Sequence, residues 1–136
     1  MVKRPAVSRA ILIVEDSPQM ATNLEIALAG LDGLDIRVAG SGAEALSLLD
    51  EPAVLDVAAV VTDLEMPKLD GYELIERLRA DPRFERLPII VSSGSSDPDW
   101  PAKARRLGAN ACFLKPYSPL ELKRRLKSLL EENKNA

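Results

Sequence analysis

The chain has 136 residues, a net charge of −3 and 46% hydrophobic residues, which is typical of one soluble globular domain with its own core. The slight excess of acidic residues disfavours direct binding to nucleic acid, and a single cysteine excludes an internal disulfide and a multi-cysteine zinc site. The sequence contains no histidine, which excludes Ser-His-Asp chemistry, histidine-ligated metals and a role as a phosphohistidine carrier.

The amino-terminal residues lack the sustained apolar segment of a signal peptide, and no apolar run approaches the roughly 20 residues that cross a bilayer. We therefore expect a cytoplasmic protein without a membrane partner. Residues 1–136 are interpreted as one domain with a core at about 9–131. We expect the ends, before Arg9 and after Leu130, to be mobile.

Five short apolar runs predict β-strands. The first run does not alternate with polar residues, which is typical of a parallel strand that is covered on both faces, and the run at 88–93 is again apolar. The runs lie at residues 10–14, 35–39, 56–62, 88–93 and 111–114.

Amphipathic segments after the strands predict five helices. The first begins at Ser17, a common N-cap residue, with a proline at the first helical position. Ser41 and Glu44 give the second helix the spacing of a capping box. The fourth should begin late, because Pro98 and Pro101 are tolerated only near its first turn, and should run to about residue 107.

Strands that alternate with helices through short loops favour right-handed crossovers and a parallel sheet with helices on both faces. Five such units favour an open α/β fold with a doubly wound five-stranded parallel sheet in the order 2-1-3-4-5. In this order the first, third, fourth and fifth strands lie side by side.

These four adjacent strands end in groups that complement one another: Glu15 and Asp16, then Asp63, Ser93 and Lys115. Crowded carboxylates repel one another unless a cation joins them, and hard oxygen ligands favour Mg²⁺. A lysine supplies a compact positive charge for a phosphoryl oxygen. We therefore predict phosphoryl transfer to Asp63, which would give a labile acyl phosphate suited to a reversible signal.

Each residue on its own has a plainer interpretation. Asp16 can cap the first helix, and Asp63 and Ser93 can belong to turns. Cys112 is interpreted as a small residue at the edge of the core, and Trp100 as a packing residue. The functional interpretation is favoured because the polar groups all fall at one edge of one sheet.

Four motifs carry a resemblance to a known family: ILIVEDSP at residues 11–18, VTDLEMPKLDGYEL at 61–74, PIIVSSG at 88–94 and GANACFLKP at 108–116. In this order and spacing they resemble the receiver domain of response regulators in two-component systems. The similarity covers nearly the whole chain. It implies a flavodoxin/CheY-like (βα)5 fold.

The resemblance also implies roles for individual residues. Asp63 would be the phosphoacceptor, and Asp16 a direct Mg²⁺ ligand together with Asp63 and the backbone carbonyl of Glu65. Glu15 would act on the ion indirectly. Ser93 would be the switch hydroxyl.

The phosphate contacts implied by the resemblance come from Leu64, Gly94 and Lys115, with Lys115 joined to Pro116 by a cis peptide bond. The sequence departs from the family at Cys112, where a Tyr or Phe is usual. A small thiol cannot report phosphorylation by moving a ring inward. We therefore expect the output surface to respond through Ser93, the fourth helix and motion of residues 94–100.

The resemblance implies a signalling switch and not a classical enzyme. A sensor histidine kinase or phosphotransfer protein would donate the phosphoryl group in a Mg²⁺-dependent reaction, and slow autodephosphorylation would remove it. The partner affected would be an unidentified downstream protein or output domain, bound at the face of the fourth helix, fifth strand and fifth helix. Both a stand-alone regulator and a receiver within a longer protein remain open.

Two other functions are weighed. A constitutive docking module with this fold and no phosphate turnover is favoured by Cys112 and disfavoured by the intact set of polar residues. A flavin-binding or phosphohydrolase enzyme is disfavoured, because Glu15 and Asp16 occupy the place of a flavin-phosphate loop and do not supply a nucleophile and acid two residues apart.

Overall fold

The computed structural model describes residues 9–51 and 55–134. Over these residues strands and helices alternate, as the apolar runs predict. In chain order the elements are β1 (Arg9–Val14), α1 (Pro18–Leu28), β2 (Asp35–Ala39), α2 (Gly42–Leu49), β3 (Asp56–Asp63), α3 (Gly71–Ala80), β4 (Ile89–Ser93), α4 (Trp100–Leu107), β5 (Ala111–Leu114) and α5 (Pro119–Lys134). Short 3-10 helices, Leu31–Gly33 and Pro82–Phe84, follow α1 and α3.

The strands form one parallel sheet in the order β2-β1-β3-β4-β5, which confirms the predicted topology. β1 pairs with β3 so that Ile13 lies opposite Val61, and β3 pairs with β4 so that Asp63 lies opposite Ser92. Because all five strands run in the same direction, their carboxyl ends meet at one edge. In such sheets this edge is where ligands bind.

Apolar side chains cover both faces of the sheet. Leu12 belongs to a core that α2, α3 and α4 close on one face, and Ile13 belongs to a second core that α1 and α5 close on the other. Both side chains are fully buried. Successive residues of a strand point to opposite faces, so a strand covered on both sides is apolar throughout, as the continuous runs predict.

The fourth helix begins late, as its prolines predict. It starts at Trp100, whose side chain is buried, and Pro101 lies in its first turn. Gly108 ends the helix at a φ of +124°, a backbone conformation that residues other than glycine rarely adopt. The chain can therefore turn directly from α4 into β5.

The last helix is longer than expected. α5 continues to Lys134, so residues 131–134, part of the segment expected to be mobile, are helical. The segment before Arg9 lies outside the described residues. Among the helices that the structure describes, α5 included, none is both long enough and apolar enough to cross a membrane.

Candidate functional site

Three strand ends bring one ammonium group to two buried carboxylates. Lys115 follows β5, and its Nζ atom lies 3.1 Å from Asp63 Oδ1 at the end of β3. The same nitrogen lies 3.5 Å from Glu15 Oε1, directly after β1. Glu15 and Asp63 are only 5% and 6% exposed. The strand order thus assembles charged groups that are far apart in the sequence.

Asp16 adds a third carboxylate on the exposed side of this cluster. One ligand atom from each of Glu15, Asp16 and Asp63 lies within 4.8 Å of the others. Asp63 Oδ1 is buried and, among the described residues, has the ion pair with Lys115 at 3.1 Å but no hydrogen-bond partner. A cluster of carboxylate oxygens, one of them buried and without a hydrogen-bond partner, fits a small hard cation such as Mg²⁺.

The acid–base properties of the cluster follow from burial and crowding. Burial raises the pKa of Asp63, and the Lys115 ammonium offsets this only in part. Burial raises the pKa of Glu15 as well, and the negative charge of Asp63 adds to the shift. For Lys115, burial opposes the charged form, but the ion pairs with both carboxylates outweigh it and raise the pKa.

An isolated ion pair would instead lower the pKa of its acid. For Asp63, burial is the main cause of the raised pKa and the nearby Glu65 carboxylate adds to it, so the Lys115 ammonium offsets the shift only in part. A further cation at this position would relieve the repulsion between the carboxylates.

The loop after β3 folds back closely on the site. The Leu64 N–H donates to Ser92 O at 2.8 Å, and the Gly71 N–H donates to Leu64 O at 2.9 Å. A Cβ atom on Gly71 would lie 2.7 Å from both Asp63 O and the Leu64 Cα, so this approach requires glycine. The Leu64 N–H, a predicted phosphate contact, is thus engaged in the sheet and would reach a phosphate only if this bond opened.

Ser93 lies at the same edge, and its hydroxyl contacts a residue that sequence reasoning did not connect with it. The side chain is fully buried, and its Oγ donates to Glu65 Oε1 while accepting from the Ser95 N–H at 2.9 Å. The sequence shows an acid two residues after Asp63. It does not show that this acid reaches across to β4.

The β4 and β5 ends are joined through the backbone. The Lys115 N–H donates to Ser93 O at 2.8 Å, and the Lys115–Pro116 peptide bond is cis, as the resemblance implies. Gly94 lies next to this lysine, since a Cβ atom built on Gly94 would be 3.9 Å from the Lys115 Cβ. The predicted phosphate contacts Gly94 and Lys115 are therefore neighbours.

Cys112 is a half-buried residue of β5 that points towards α4. Its thiol contacts Pro101 O at 3.7 Å, and burial raises its pKa, with the Arg105 guanidinium opposing the shift. Phe113, the next residue, packs its ring against Tyr117 with centroids 5.9 Å apart. At the position where the resemblance implies an aromatic ring, this protein has a thiol that contacts the first turn of α4.

The family model of the response regulator receiver domain matches residues 11–127. This match covers most of the chain and contains all the strand ends described above. The chain belongs to the response regulator receiver family, whose members act as signalling switches of two-component systems.

Individual relatives agree with this assignment. The chain is 33% identical over 123 residues to the chemotaxis protein CheY1 of Helicobacter pylori strain J99, covering 90% of this chain and 98% of that protein. A putative response regulator from Chloroflexus aurantiacus shares 34% identity at a TM-score of 0.80, covering 92% of this chain and 98% of that one.

A further solved structure, the signal receiver domain of a histidine kinase from Syntrophus aciditrophicus, is 30% identical at a TM-score of 0.82 and covers 96% of this chain and 95% of that one. The probable transcriptional regulator ycf27 of Porphyridium aerugineum is 37% identical over 122 residues. That match covers 88% of this chain but only 47% of the regulator. Similar domains thus occur both in short proteins and within longer ones.

Proposed function

We propose that this protein is a phosphorylation-dependent switch in which Asp63 accepts the phosphoryl group. The observation that carries the proposal is the position of the Lys115 ammonium, 3.1 Å from a buried Asp63 oxygen that lacks a hydrogen-bond partner among the described residues. A carboxylate held ready beside a fixed positive charge is suited to receive a phosphoryl group, since such transfers depend mainly on positioning and charge neutralisation.

Asp16, Asp63 and the backbone carbonyl of Glu65 would hold Mg²⁺, with Glu15 acting indirectly. When bound, the ion would neutralise charge on the phosphoryl oxygens. Its fit to this chain rests on the three clustered carboxylates and the unsatisfied Asp63 oxygen.

In the transfer, an Asp63 carboxylate oxygen forms a bond to phosphorus as the phosphorus–nitrogen bond of a donor phosphohistidine breaks. The donor imidazole leaves with the electron pair of that bond. Lys115 balances the added negative charge, and the Gly94 backbone and the Ser93 hydroxyl contact the transferred group. Leu64 joins them only if its bond to Ser92 opens.

The donor is a sensor histidine kinase or phosphotransfer protein, and the place of action is the cytoplasm. The output is a changed affinity for a downstream protein or output domain at the face of α4, β5 and α5. No classical enzymatic turnover is part of this function, apart from self-catalysed phosphotransfer and slow autodephosphorylation.

The proposal is tested by incubating the protein with acetyl phosphate and Mg²⁺ and measuring its intact mass. We expect one added phosphoryl group, which EDTA and the D63N substitution both prevent. D56N, at the other end of β3, is the matched control and should still be modified. An unmodified wild-type protein would contradict the proposal and favour a constitutive docking module, and modification of D63N would place the acceptor elsewhere.

A further inference from the structure

The Ser93 hydroxyl donates its proton to a group other than a phosphoryl group. It has one proton, which it donates to Glu65 Oε1, and its oxygen accepts the Ser95 N–H at 2.9 Å. A serine hydroxyl offers one donor and two lone pairs. A ligand that needs a hydrogen-bond donor cannot use the Ser93 hydroxyl while this hydroxyl donates to Glu65.

A phosphoryl group on Asp63 would need this same donor. Its oxygens are acceptors only, so they would meet the lone pairs of Ser93 unless the hydroxyl turned away from Glu65. The Glu65 carboxylate would then also face a new negative charge two residues away along the chain. Phosphorylation therefore weakens the Glu65–Ser93 contact in two ways, by competition for the proton and by repulsion between like charges.

We propose that the Glu65 carboxylate is a positioning residue that holds the Ser93 hydroxyl in the unphosphorylated protein and must release it for the switch to operate. This inference rests on the proposed function and assigns a regulatory contact to the same site. Glu65 raises the threshold for activation, because every phosphorylated molecule must first break a charge-assisted hydrogen bond.

The surroundings of Glu65 allow this release. Its side chain is exposed, so the freed carboxylate returns to water at little cost. It also lines an open groove of about 560 Å³ together with Tyr72 and Lys103, and the Lys103 ammonium lies 4.3 Å from the centroid of the Tyr72 ring. Asp70 and Asp97 line the same groove, so a displaced Glu65 would meet one cation, Lys103 on α4, together with two other carboxylates.

The release of Ser93 from Glu65 would also affect the loop before α4. The Ser95 N–H bond to Ser93 Oγ holds the loop that leads to Trp100. If the Ser93 side chain changes rotamer to reach the phosphoryl group, its Oγ moves and the bond from the Ser95 N–H is lost, so the loop loses this anchor. The route runs through Ser93, Ser95 and the first turn of α4, and it does not require a ring at the Cys112 position.

Beryllofluoride, a mimic of the phosphoryl group, tests the inference when titrated with Mg²⁺ present. Trp100 is the single tryptophan, so its fluorescence can report binding, and calorimetry gives an independent affinity. We expect E65A to bind beryllofluoride about tenfold more tightly than wild type, the change expected from removing one charge-assisted bond of roughly 1.4 kcal/mol. E76A, which removes an exposed acid on α3, is the matched control and should bind like wild type.

A double-mutant comparison separates the hydrogen bond from simple repulsion. Repulsion by Glu65 does not need the Ser93 hydroxyl, so if Glu65 also acts through Ser93, E65A should tighten binding more in the wild-type background than in the S93A background. Equal tightening in both backgrounds would overturn the inference, because Glu65 would then act on the phosphoryl charge alone. E65A binding no tighter than wild type would overturn it as well. A wild-type protein that binds no beryllofluoride would refute the proposed function itself, and the Glu65 inference with it.

Discussion

Strand β3 begins and ends with an aspartate, and the two lie in opposite environments. Asp56, at the amino end of the sheet, is half exposed and pairs with Arg9 at 3.5 Å. Asp63, at the carboxyl end, is buried with an oxygen that lacks a hydrogen-bond partner in the described part of the chain. The carboxylate at the amino end of β3 is thus paired near the surface, whereas the carboxylate at the carboxyl end keeps a buried oxygen that a cation could satisfy.

The amino end of the sheet is held by a half-buried arginine. Arg79, in the last turn of α3, donates to Gly108 O through Nε at 3.0 Å and through Nη2 at 2.8 Å. It also donates to Phe84 O at 2.7 Å and to Asn110 Oδ1 at 2.9 Å. The Asn110 oxygen in turn accepts the Ile89 N–H at 2.8 Å. One side chain therefore joins the ends of α3 and α4 to the starts of β4 and β5.

Replacement of Arg79 should have the largest effect on stability. R79M keeps the apolar stem but leaves the carbonyls of Phe84 and Gly108 without this donor, so we expect a loss of about 3 kcal/mol in the free energy of unfolding. Urea denaturation checks this value. The control is R83M, because Arg83 pairs with Asp50 and Asp81 at the surface, where ion pairs contribute little. Equal losses in the two variants would mean that burial does not distinguish these arginines.

Replacement of Gly71, which packs against the backbone after β3, should have the next largest effect on stability. In G71A the new Cβ would press against backbone atoms of Asp63 and Leu64 at 2.7 Å, and we expect a loss of about 2 kcal/mol because backbone cannot move aside easily. G40A is the control, since its Cβ would meet only the flexible end of Glu44, at 3.6 Å. An unfolding curve for G71A that matches that of G40A would show that the loop after β3 adapts freely.

The same two ends of the sheet show what sequence reasoning can and cannot reach. Strand ends follow from the apolar runs, so the order 2-1-3-4-5 was sufficient to bring Asp63 and Lys115 together. The Arg79 contacts and the Glu65–Ser93 bond are made by long flexible side chains. Their partners depend on rotamers and on backbone carbonyls that no residue pattern encodes. For Arg79 a weak signal existed, because it lies four residues after the buried Ile75 and hence beside the apolar face of α3.

Addition of Mg²⁺ should sharpen the contrast between the two ends. A ligand that binds only the folded state at ten times its dissociation constant stabilises it by about 1.4 kcal/mol. We expect Mg²⁺ to stabilise the wild-type protein against urea relative to EDTA, and to do so far less in D63N. D56N should keep the full effect. A response to Mg²⁺ that D63N retains would place the ion away from Asp63.

In EDTA, removal of the charge should stabilise the protein at the carboxyl end of β3 but not at its amino end. D63N should raise the free energy of unfolding, because a neutral amide avoids the cost of burying a carboxylate, a cost that the nearby Glu65 carboxylate increases. D56N should give no gain, since it only removes a partner from Arg9 at the surface. A D63N protein less stable than wild type would mean that the ion pair with Lys115 outweighs the crowding.

The smallest effect is the dependence of that gain on pH, and its sign follows from the raised pKa of Asp63. An acid whose pKa is higher in the folded state adds stability below its unfolded pKa of about 3.9 and loses this contribution as the pH rises through the folded value. The penalty that D63N removes is therefore present at pH 7 and shrinks as the pH falls into the range in which folded Asp63 takes up a proton. Paired urea titrations of wild type and D63N in EDTA, from pH 7 down to about pH 4, should show the difference in unfolding free energy decreasing. A difference that grows on acidification would require that Asp63 be more acidic in the folded protein, held so by Lys115, and the carboxyl end of the sheet would then be as well balanced as the amino end.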